Sequence, residues 1–300
     1  MSDRVVAVLT HPRRAEALAA ACDFVASMAA HGIRCLVFPD ALVPIQEAVP
    51  GADVSAIGGA DDRTAEIAVV FGGDGTILRA AEWAVDHDVP VLGVNLGHVG
   101  FLAEMEVVEL PALADRVLAR DYATERRITL HVEAYDDQGT RLWSSFAVNE
   151  VSLEKASRQK VVEILATIDG LPVSRWACDG ILISTPTGST AYAFSAGGPV
   201  IWPNVEAFLV VPLSAHALFA RPLVVGPDSV VEIDLVSNAE GVVWCDGRRT
   251  FDVTPGCRIV ASRAAHHLTM VRLSEQPFTN RLVRKFGLRV EGWRSAPGTH

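Results

Sequence analysis

The chain has 300 residues, half of them hydrophobic, and a formal net charge of −10 at pH 7. This length suits two modest domains or one large one, and the apolar content is enough for a sizeable core. The acidic balance excludes nucleic acid as the main partner, because binding to a phosphate backbone needs a basic surface.

The cysteines and the first residues predict where the protein resides. The five cysteines form no C-x-x-C pair and are odd in number, so we expect reduced thiols and no zinc site built from them. The opening segment MSDRVVAVLTHPRR is charged early and is interrupted by Pro12, unlike a signal peptide. No apolar run reaches the length of a membrane span. We therefore expect a cytoplasmic protein with no membrane partner.

The first third of the chain alternates strands and helices. Strands are predicted in RVVAVLTH (4–11), IRCLVFP, EIAVVF (66–71) and VPVLGVNLG, and helices in RRAEALAAACDFVASMAAHG and from about Thr76 to Asp86. This alternation is typical of a parallel sheet covered by helices. In such sheets ligands bind beyond the carboxyl ends of the strands.

The segment VFGGDGTILRAAEWA places one carboxylate, Asp74, among glycines between a strand and a helix. Glycines let a ligand approach the backbone, and a helix N-terminus favours phosphate. A lone Asp-Gly would most simply be a turn. With three flanking glycines, Asp74 is better explained as a group that orients or deprotonates a hydroxyl attacking a phosphate, or that contacts a magnesium ion.

From Ile128 onwards the pattern changes to extended strands separated by Gly, Asp and Asn turns, which predicts a second, β-rich domain. One helix is expected to start near Ser189, and the basic segment NRLVRKFGLR near the end is expected to be helical. The predicted division is an α/β domain over 1–125 with about 276–300, and a β-rich domain over 126–275.

The stretch ACDGILISTPTGSTAYAFSAGGP (177–199) gathers many hydroxyls and glycines around one helix start. A helix cap needs a single hydroxyl, so this density favours a segment that grips a polar ligand. Tyr192 could pack on a base or ribose, or belong to the core. Asp179 is either a turn residue or a ligand to a polar group. Asn149 and Glu150 interrupt a strand pattern; they are a strand end or bulge, or a pair that binds ribose or adenine.

These segments together resemble the NAD kinase family over most of the chain. The resemblance rests on GGDGT (72–76), NLGHVGFL (95–102), NE (149–150) and DGILISTPTGSTAYAFSAGGP (179–199). Diacylglycerol-type lipid kinases and 6-phosphofructokinases share signatures like GGDGT. The last stretch combined with NE is far more specific to NAD kinases.

The resemblance implies an enzyme that transfers a phosphoryl group from ATP or polyphosphate to the 2′-hydroxyl of the adenosine ribose of NAD, with a divalent cation, Mg²⁺. It also implies a last helix that returns to the first domain, and a homodimer or homotetramer. Asp74 would accept the proton, Gly75 would line the same pocket, and Arg79 would lie near phosphate. The further NAD-binding residues that the resemblance implies are Asn149, Glu150, Lys160, Asp179, Thr187, Thr190, Ala191, Tyr192 and Ser195.

Two other functions stay open at this point, as do the metal ligands and the role of Asp246 in WCDGRR. A lipid or sugar kinase could use the same glycine–aspartate loop. A non-catalytic NAD(P)-binding sensor would need the same pocket, although it has no need for a carboxylate beside an incoming phosphate.

Overall fold

The computed structural model describes residues 4–11, 13–59, 62–96, 100–106, 110–157, 161–273 and 277–288. The chain divides into two compact units, residues 1–126 with 268–300, and residues 127–267. Both units are built on β-sheets, but the strand directions differ.

The first unit begins as an α/β structure. Its strands are β1 (Val5–Thr10), β2 (Arg34–Val37), β3 (Val54–Ala56), β4 (Ala65–Phe71), β5 (Val91–Asn95), β6 (Ala103–Glu106) and β7 (Ala123–Arg127). The helices in this first part of the chain are α1 (Ala15–Ala30), α2 (Pro39–Ala48), α3 (Asp74–His87) and α4 (Leu110–Ala119). The strands lie in the order β3-β2-β1-β4-β5, and each of these neighbours is paired in parallel.

The aliphatic strands of this sheet are buried because helices cover them. All six residues of β1 are buried, and α1 contributes Phe24, Val25 and Met28 to the same core. Parallel strands meet with their carboxyl ends at one edge, where α3 begins three residues after β4 ends at Phe71. This edge is therefore where the first unit presents Asp74.

The second unit consists of antiparallel strands. They are β8 (Leu130–Tyr135), β9 (Arg141–Ala147), β10 (Glu150–Lys155), β11 (Val162–Ile168), β12 (Leu171–Cys178), β13 (Gly180–Ser184), β14 (Phe208–Leu213), β15 (Leu223–Val225), β16 (Val231–Leu235), β17 (Gly241–Cys245), β18 (Arg249–Val253) and β19 (Arg258–Arg263). They form two sheets, β15-β14-β13-β10-β17-β18 and β12-β11-β16-β19-β8-β9. Alternate residues of both sheets, such as Val132 and Leu153, share one core around the fully buried Trp176.

The helix expected near Ser189 is shorter than its sequence pattern indicates. A 3₁₀ turn at Gly188–Thr190 is followed by α5 (Tyr192–Ser195), a single turn. Gly197 has a φ of 84°, a left-handed conformation that ends the helix.

The chain returns to the first unit at β20 (Leu268–Arg272), which pairs in parallel with β5 and lies next to β7. The boundary expected at about 275 therefore moves to 267, because β20 belongs to the first sheet. In the last helix, α6 (Phe278–Phe286), the rings of Phe278 and Phe286 lie 5.8 and 5.7 Å from that of Phe101. The predicted fold class is confirmed. None of the described helices combines the length and apolar character that a membrane crossing needs.

Candidate functional site

Asp74 is the first residue of α3, and its carboxylate is held from one side by backbone. The N–H groups of Phe101 and Leu102 donate to it at 3.3 and 3.2 Å. Gly100 lies directly beside it, where a Cβ would collide with Asp74 Oδ1. The GGDGT segment and the GFL residues at 100–102 therefore form one local site, and two backbone donors orient the Asp74 carboxylate.

The glycines around Asp74 do two different things. Gly72 has a φ of 157°, and a Cβ there would lie 2.6 Å from Thr76 Oγ1, so this position allows the tight turn between β4 and α3. A Cβ added at Gly73 or Gly75 would instead meet no atom within 4 Å. These two glycines leave open space at the N-terminus of α3, where the helix dipole favours an anion.

Arg79 lies on the second turn of α3 and contacts α2. Its Nη1 donates to Asp40 Oδ2 at 2.9 Å, and its guanidinium lies 4.0 Å from the centre of the Phe38 ring. Phe38 and Asp40 follow β2, so this contact belongs to the carboxyl edge of the sheet. The structure thus places Arg79 at the expected edge, with its charge paired to a carboxylate.

In the second unit, the backbone around Asn149 and Glu150 is a bend that leads into β10. On its carbonyl side, Thr185 Oγ1 donates to Val148 O at 2.6 Å, and the Thr185 N–H donates to Asn149 O at 2.9 Å. A Cβ at Gly188 would collide with Asn149 O. The NE and TPTGS segments are therefore brought together.

The N–H side of this bend faces Asp246, whose carboxylate accepts bonds from Val148, Asn149 and Glu150 at 2.9, 2.7 and 3.3 Å. The sequence leaves the role of Asp246 open, and the structure connects it to two predicted site residues. Arg249 Nη2 donates to the same carboxylate at 2.8 Å.

Glu150 has an unusual protonation equilibrium. Burial, and then the nearby charge of Asp246, raise the pKa of Glu150 to about 8, while the N–H of Tyr192 opposes this by donating to it. Its Oε2 atom is buried and has no hydrogen-bond partner among the described residues. Burial raises the pKa of the Asp246 carboxyl as well, although its backbone donors and Arg249 oppose this. With a pKa of about 8, Glu150 favours its protonated form at neutral pH and can donate to a ligand.

Several hydroxyls of the 177–199 stretch are engaged within the protein. Ser189 Oγ donates to Pro186 O at 2.7 Å and accepts from the Ile201 N–H at 2.9 Å. Thr187 is buried and accepts from Arg127 Nη1 at 3.4 Å, and Thr190 Oγ1 donates to Thr187 O at 3.2 Å. The density of hydroxyls therefore serves partly to hold this loop in shape.

The residues of α5 and its start are more open. Tyr192 is 40% exposed, so it is not a core residue, and Ser195 is exposed as well. Ala191 is the residue before the helix and is half-buried. Asp179, between β12 and β13, forms an ion pair with Lys155 that lowers the pKa of the Asp179 carboxyl. The predicted residue Lys160 lies outside the described residues.

Two family models match the chain. The ATP-NAD kinase N-terminal domain matches residues 45–122, and the ATP-NAD kinase C-terminal domain matches residues 148–273. An NAD kinase of Cutibacterium acnes is 53% identical over 299 residues, covering 99% of this chain and 94% of the relative. The chain belongs to the NAD kinase family.

Two further relatives that match nearly the whole chain are also NAD kinases. An NAD kinase of Leifsonia xyli subsp. xyli is 47% identical and covers 99% of both chains. NAD kinase 2 of Streptomyces coelicolor is also 47% identical and covers 98% of both. The predictions of the family, and of a kinase acting on NAD, are thereby confirmed. A sensor and a lipid or sugar kinase are not favoured.

Solved structures support the fold of this family member. Yeast NADH kinase complexed with NADH has a TM-score of 0.86 at 24% identity, covering 96% of this chain and 89% of the other. An NAD kinase from Archaeoglobus fulgidus in complex with ATP has a TM-score of 0.69 at 22% identity, covering 95% of this chain and all of the other.

Sequence reasoning missed the groups that support the predicted residues. Phe101 and Leu102 act through backbone N–H groups, which any residue carries, so no side-chain pattern could reveal them. Arg127 belongs to no motif, so its contact with Thr187 had no sequence signal. Asp246 did carry a signal, since Asp-Gly followed by two arginines is a concentrated charge pattern, but its partners lie about a hundred residues away.

Proposed function

We propose that this NAD kinase family member transfers a phosphoryl group from ATP or polyphosphate to the 2′-hydroxyl of the adenosine ribose of NAD, giving NADP. The observation that carries this proposal is the oriented carboxylate of Asp74 at the N-terminus of α3. Curated relatives of nearly full length support the reaction class.

Asp74 would face the acceptor hydroxyl. A carboxylate is a weak base toward a sugar hydroxyl, but a loose phosphoryl-transfer transition state needs little proton abstraction early in the reaction. Asp74 would therefore orient the hydroxyl and accept its proton late. The two N–H bonds from Phe101 and Leu102 support this assignment, because they leave the carboxylate little freedom to turn away.

The donor phosphates would lie in the open space beside Gly73 and Gly75, where the α3 N-terminus favours negative charge. Arg79 would bind phosphate by exchanging its Asp40 partner for a phosphate oxygen. A guanidinium already stacked on Phe38 keeps its direction during such an exchange.

The NAD-binding residues in the second unit would be the members of the predicted set. Tyr192 offers a ring face for stacking, and Glu150 offers a proton donor. Asn149, Asp179, Thr187, Thr190, Ala191 and Ser195 are proposed on the resemblance together with Lys160.

The divalent cation is proposed as Mg²⁺. In the described part of the chain, no group of three or more His, Cys, Asp or Glu side chains is arranged to hold a metal ion. The carboxylate of Asp74 at the N-terminus of α3 fits magnesium, which is usually bound by one or two carboxylates together with substrate phosphates. Asp74 is the carboxylate that would contact it, directly or through water. When bound, the cation would neutralise charge on the transferring phosphate.

We further propose a cytoplasmic homodimer or homotetramer. Four of the five free cysteines are buried, in keeping with a reducing compartment. The edge strands β9, β12, β15 and β18 of the two antiparallel sheets offer places for pairing between copies. Light scattering coupled to gel filtration would measure the oligomeric state directly.

The test is a coupled assay for NADP. Purified protein is incubated with NAD and Mg²⁺, with ATP or polyphosphate in separate tubes, and an NADP-specific dehydrogenase reports product. NADH is offered as acceptor in a further tube. Asp74→Asn should lower kcat by roughly 10²–10⁴-fold. The matched control is Asp86→Asn, an exposed aspartate on the same helix. Normal turnover in folded Asp74→Asn would overturn the role of Asp74, and absence of NADP with every donor would overturn the function.

A further inference from the structure

Asp246 lies in the turn that joins β17 to β18, and its simplest explanation is conformational. Asp246 and Gly247 have φ values of 52° and 64°, and the Arg248 N–H donates to Cys245 O at 3.0 Å. Asp-Gly is a favoured pair for a tight turn in which both central residues have positive φ. A turn residue, however, has no need of a buried side chain, and the Asp246 side chain is only 1% exposed.

The buried carboxylate is directed at another part of the chain. Strand β17 pairs with β10 with Cys245 opposite Val151, which places Asp246 beside the bend at 148–150. Its two oxygens accept the N–H groups of three consecutive residues, Val148, Asn149 and Glu150. A carboxylate that accepts three backbone donors holds them more strongly than a neutral acceptor would.

All six backbone polar groups of this bend have partners. The three N–H groups donate to Asp246; Val148 O and Asn149 O accept from Thr185, and Glu150 O accepts from the Asp246 N–H at 3.0 Å. Asp246 is the partner of four of these six groups, through its carboxylate for the three N–H groups and through its own N–H for Glu150 O. The bend is thus closed on its N–H side by one residue, whose loss would leave three buried donors without their acceptor.

Arg249 favours the charged form of this carboxylate, against the effect of burial on its pKa. It donates to Asp246 Oδ2 at 2.8 Å, and its guanidinium lies 4.2 Å from the centre of the Phe146 ring. A buried carboxylate that is both paired and hydrogen-bonded avoids the cost of isolated burial.

We propose that Asp246 is a positioning residue for NAD, because its carboxylate holds the backbone bend that presents Asn149 and Glu150 to the adenosine part of the substrate. This inference rests on the proposed function. Asp246 itself does not touch NAD; it acts through the two neighbouring residues. Burial of Glu150, and then the negative charge of Asp246, favour the protonated form of Glu150.

The second effect gives the proposal a distinctive readout. The groups that act on Glu150 are Asp246 from the β17–β18 turn and Tyr192 from α5, and Tyr192 in turn interacts with Asp179 and Glu154. Removing the charge of Asp246 lowers the pKa of Glu150, so that Glu150 ionises at a lower pH. If Asp246 only stabilised the fold, the pH dependence of NAD binding would not follow this shift in the titration of Glu150.

The experiment uses Asp246→Asn, since asparagine tolerates the left-handed backbone of the turn and removes only the charge and one acceptor oxygen. The matched control is Asp169→Asn, because Asp169 also has a positive φ before a glycine but lies exposed in the β11–β12 turn. KM and kcat for NAD, KM for ATP and the Kd of NAD from calorimetry are measured between about pH 6 and 9.

Asp246→Asn should raise the KM and Kd for NAD by roughly 10–100-fold, with a smaller change in kcat and no change in the KM for ATP. The pH at which NAD binding weakens should move to lower values, and Asp169→Asn should behave as the wild type. An unchanged Kd for NAD, or equal losses toward NAD and ATP with an unmoved pH profile, would overturn the proposal.

A second variant covers the case in which Asp246→Asn does not fold. Glu150→Gln keeps an uncharged group at this position, so its Kd for NAD should no longer change with pH; retention of the wild-type pH dependence would contradict the proposal. Failure of the proposed function can be distinguished from failure of this proposal. If the wild-type protein binds NAD but makes no NADP, the Kd for NAD can still be measured in both variants. Wild-type protein that binds no NAD would overturn both.

Discussion

Replacing Glu150 by glutamine should change how the stability of the protein depends on pH. The pKa of Glu150 is raised from 4.5 to about 8, chiefly by burial and then by Asp246. The folded protein therefore binds a proton that the unfolded chain releases above about pH 4.5, and stability falls as pH rises toward 8. Glutamine cannot titrate, so Glu150→Gln removes this loss.

The magnitude follows from the same values. From 4.5 to about 8, at roughly 1.4 kcal/mol per unit of pKa, Glu150 titrating alone would cost about 5 kcal/mol of unfolding free energy. The cost is smaller if Glu150 and Asp246 titrate as a pair. Between pH 5 and 8 the free energy of unfolding of the wild type should therefore fall by roughly 2–4 kcal/mol more than that of Glu150→Gln.

The assay is urea unfolding at pH 5, 6.5 and 8, followed by circular dichroism and by tryptophan fluorescence so that coincident transitions can be checked. Glu163→Gln is the control, because Glu163 is an exposed carboxylate in the same unit. Equal losses of stability in wild type and Glu150→Gln would refute the reasoning that Glu150 is protonated in the folded protein.

Two further outcomes are expected. Gly100→Ala should lower kcat by roughly 10²-fold, because its Cβ would displace the Asp74 carboxylate, whereas Gly226→Ala, where the nearest atom is 3.8 Å away, should leave steady-state kinetics unchanged. An aromatic disulfide reagent at pH 8 should modify Cys22 before any other cysteine, because the other four are buried and burial raises the pKa of Cys35 to about 12. Mass spectrometry of early time points measures the order of modification, and labelling of another cysteine before Cys22 would contradict the prediction.

The first unit could be predicted well where local pattern decides the structure. The strand expected at 66–71 is observed at Ala65–Phe71, because a continuous aliphatic run between polar residues is typical of a buried parallel strand. The following helix, expected from Thr76, begins at Asp74. Two glycines concealed its first turn, since glycine is a poor helix former and gives no sequence signal for a helix start.

The support of the site could not be predicted, because it depends on pairings between distant strands. Asp246 reaches Asn149 across 97 positions only because β17 lies next to β10. Within the stretch expected to grip a ligand, the hydroxyls of Thr185 and Ser189 bond to the protein's own backbone. Composition cannot distinguish these uses, since a hydroxyl serves either equally well.

The path of the chain between the two units has a consequence for engineering. The first unit is left at residue 126 and resumed at 268, and the strands on either side of the gap, β7 and β20, are neighbours in one sheet. In the second unit, the first and last strands along the chain, β8 and β19, are also paired, with Leu130 opposite Arg263. The second unit therefore has its first and last strands paired, and in the first unit the two strands that flank residues 127–267 are neighbours in one sheet. A short linker could rejoin the first unit after excision of 127–267, and the excised piece could be made circular or given new termini at one of its hairpins.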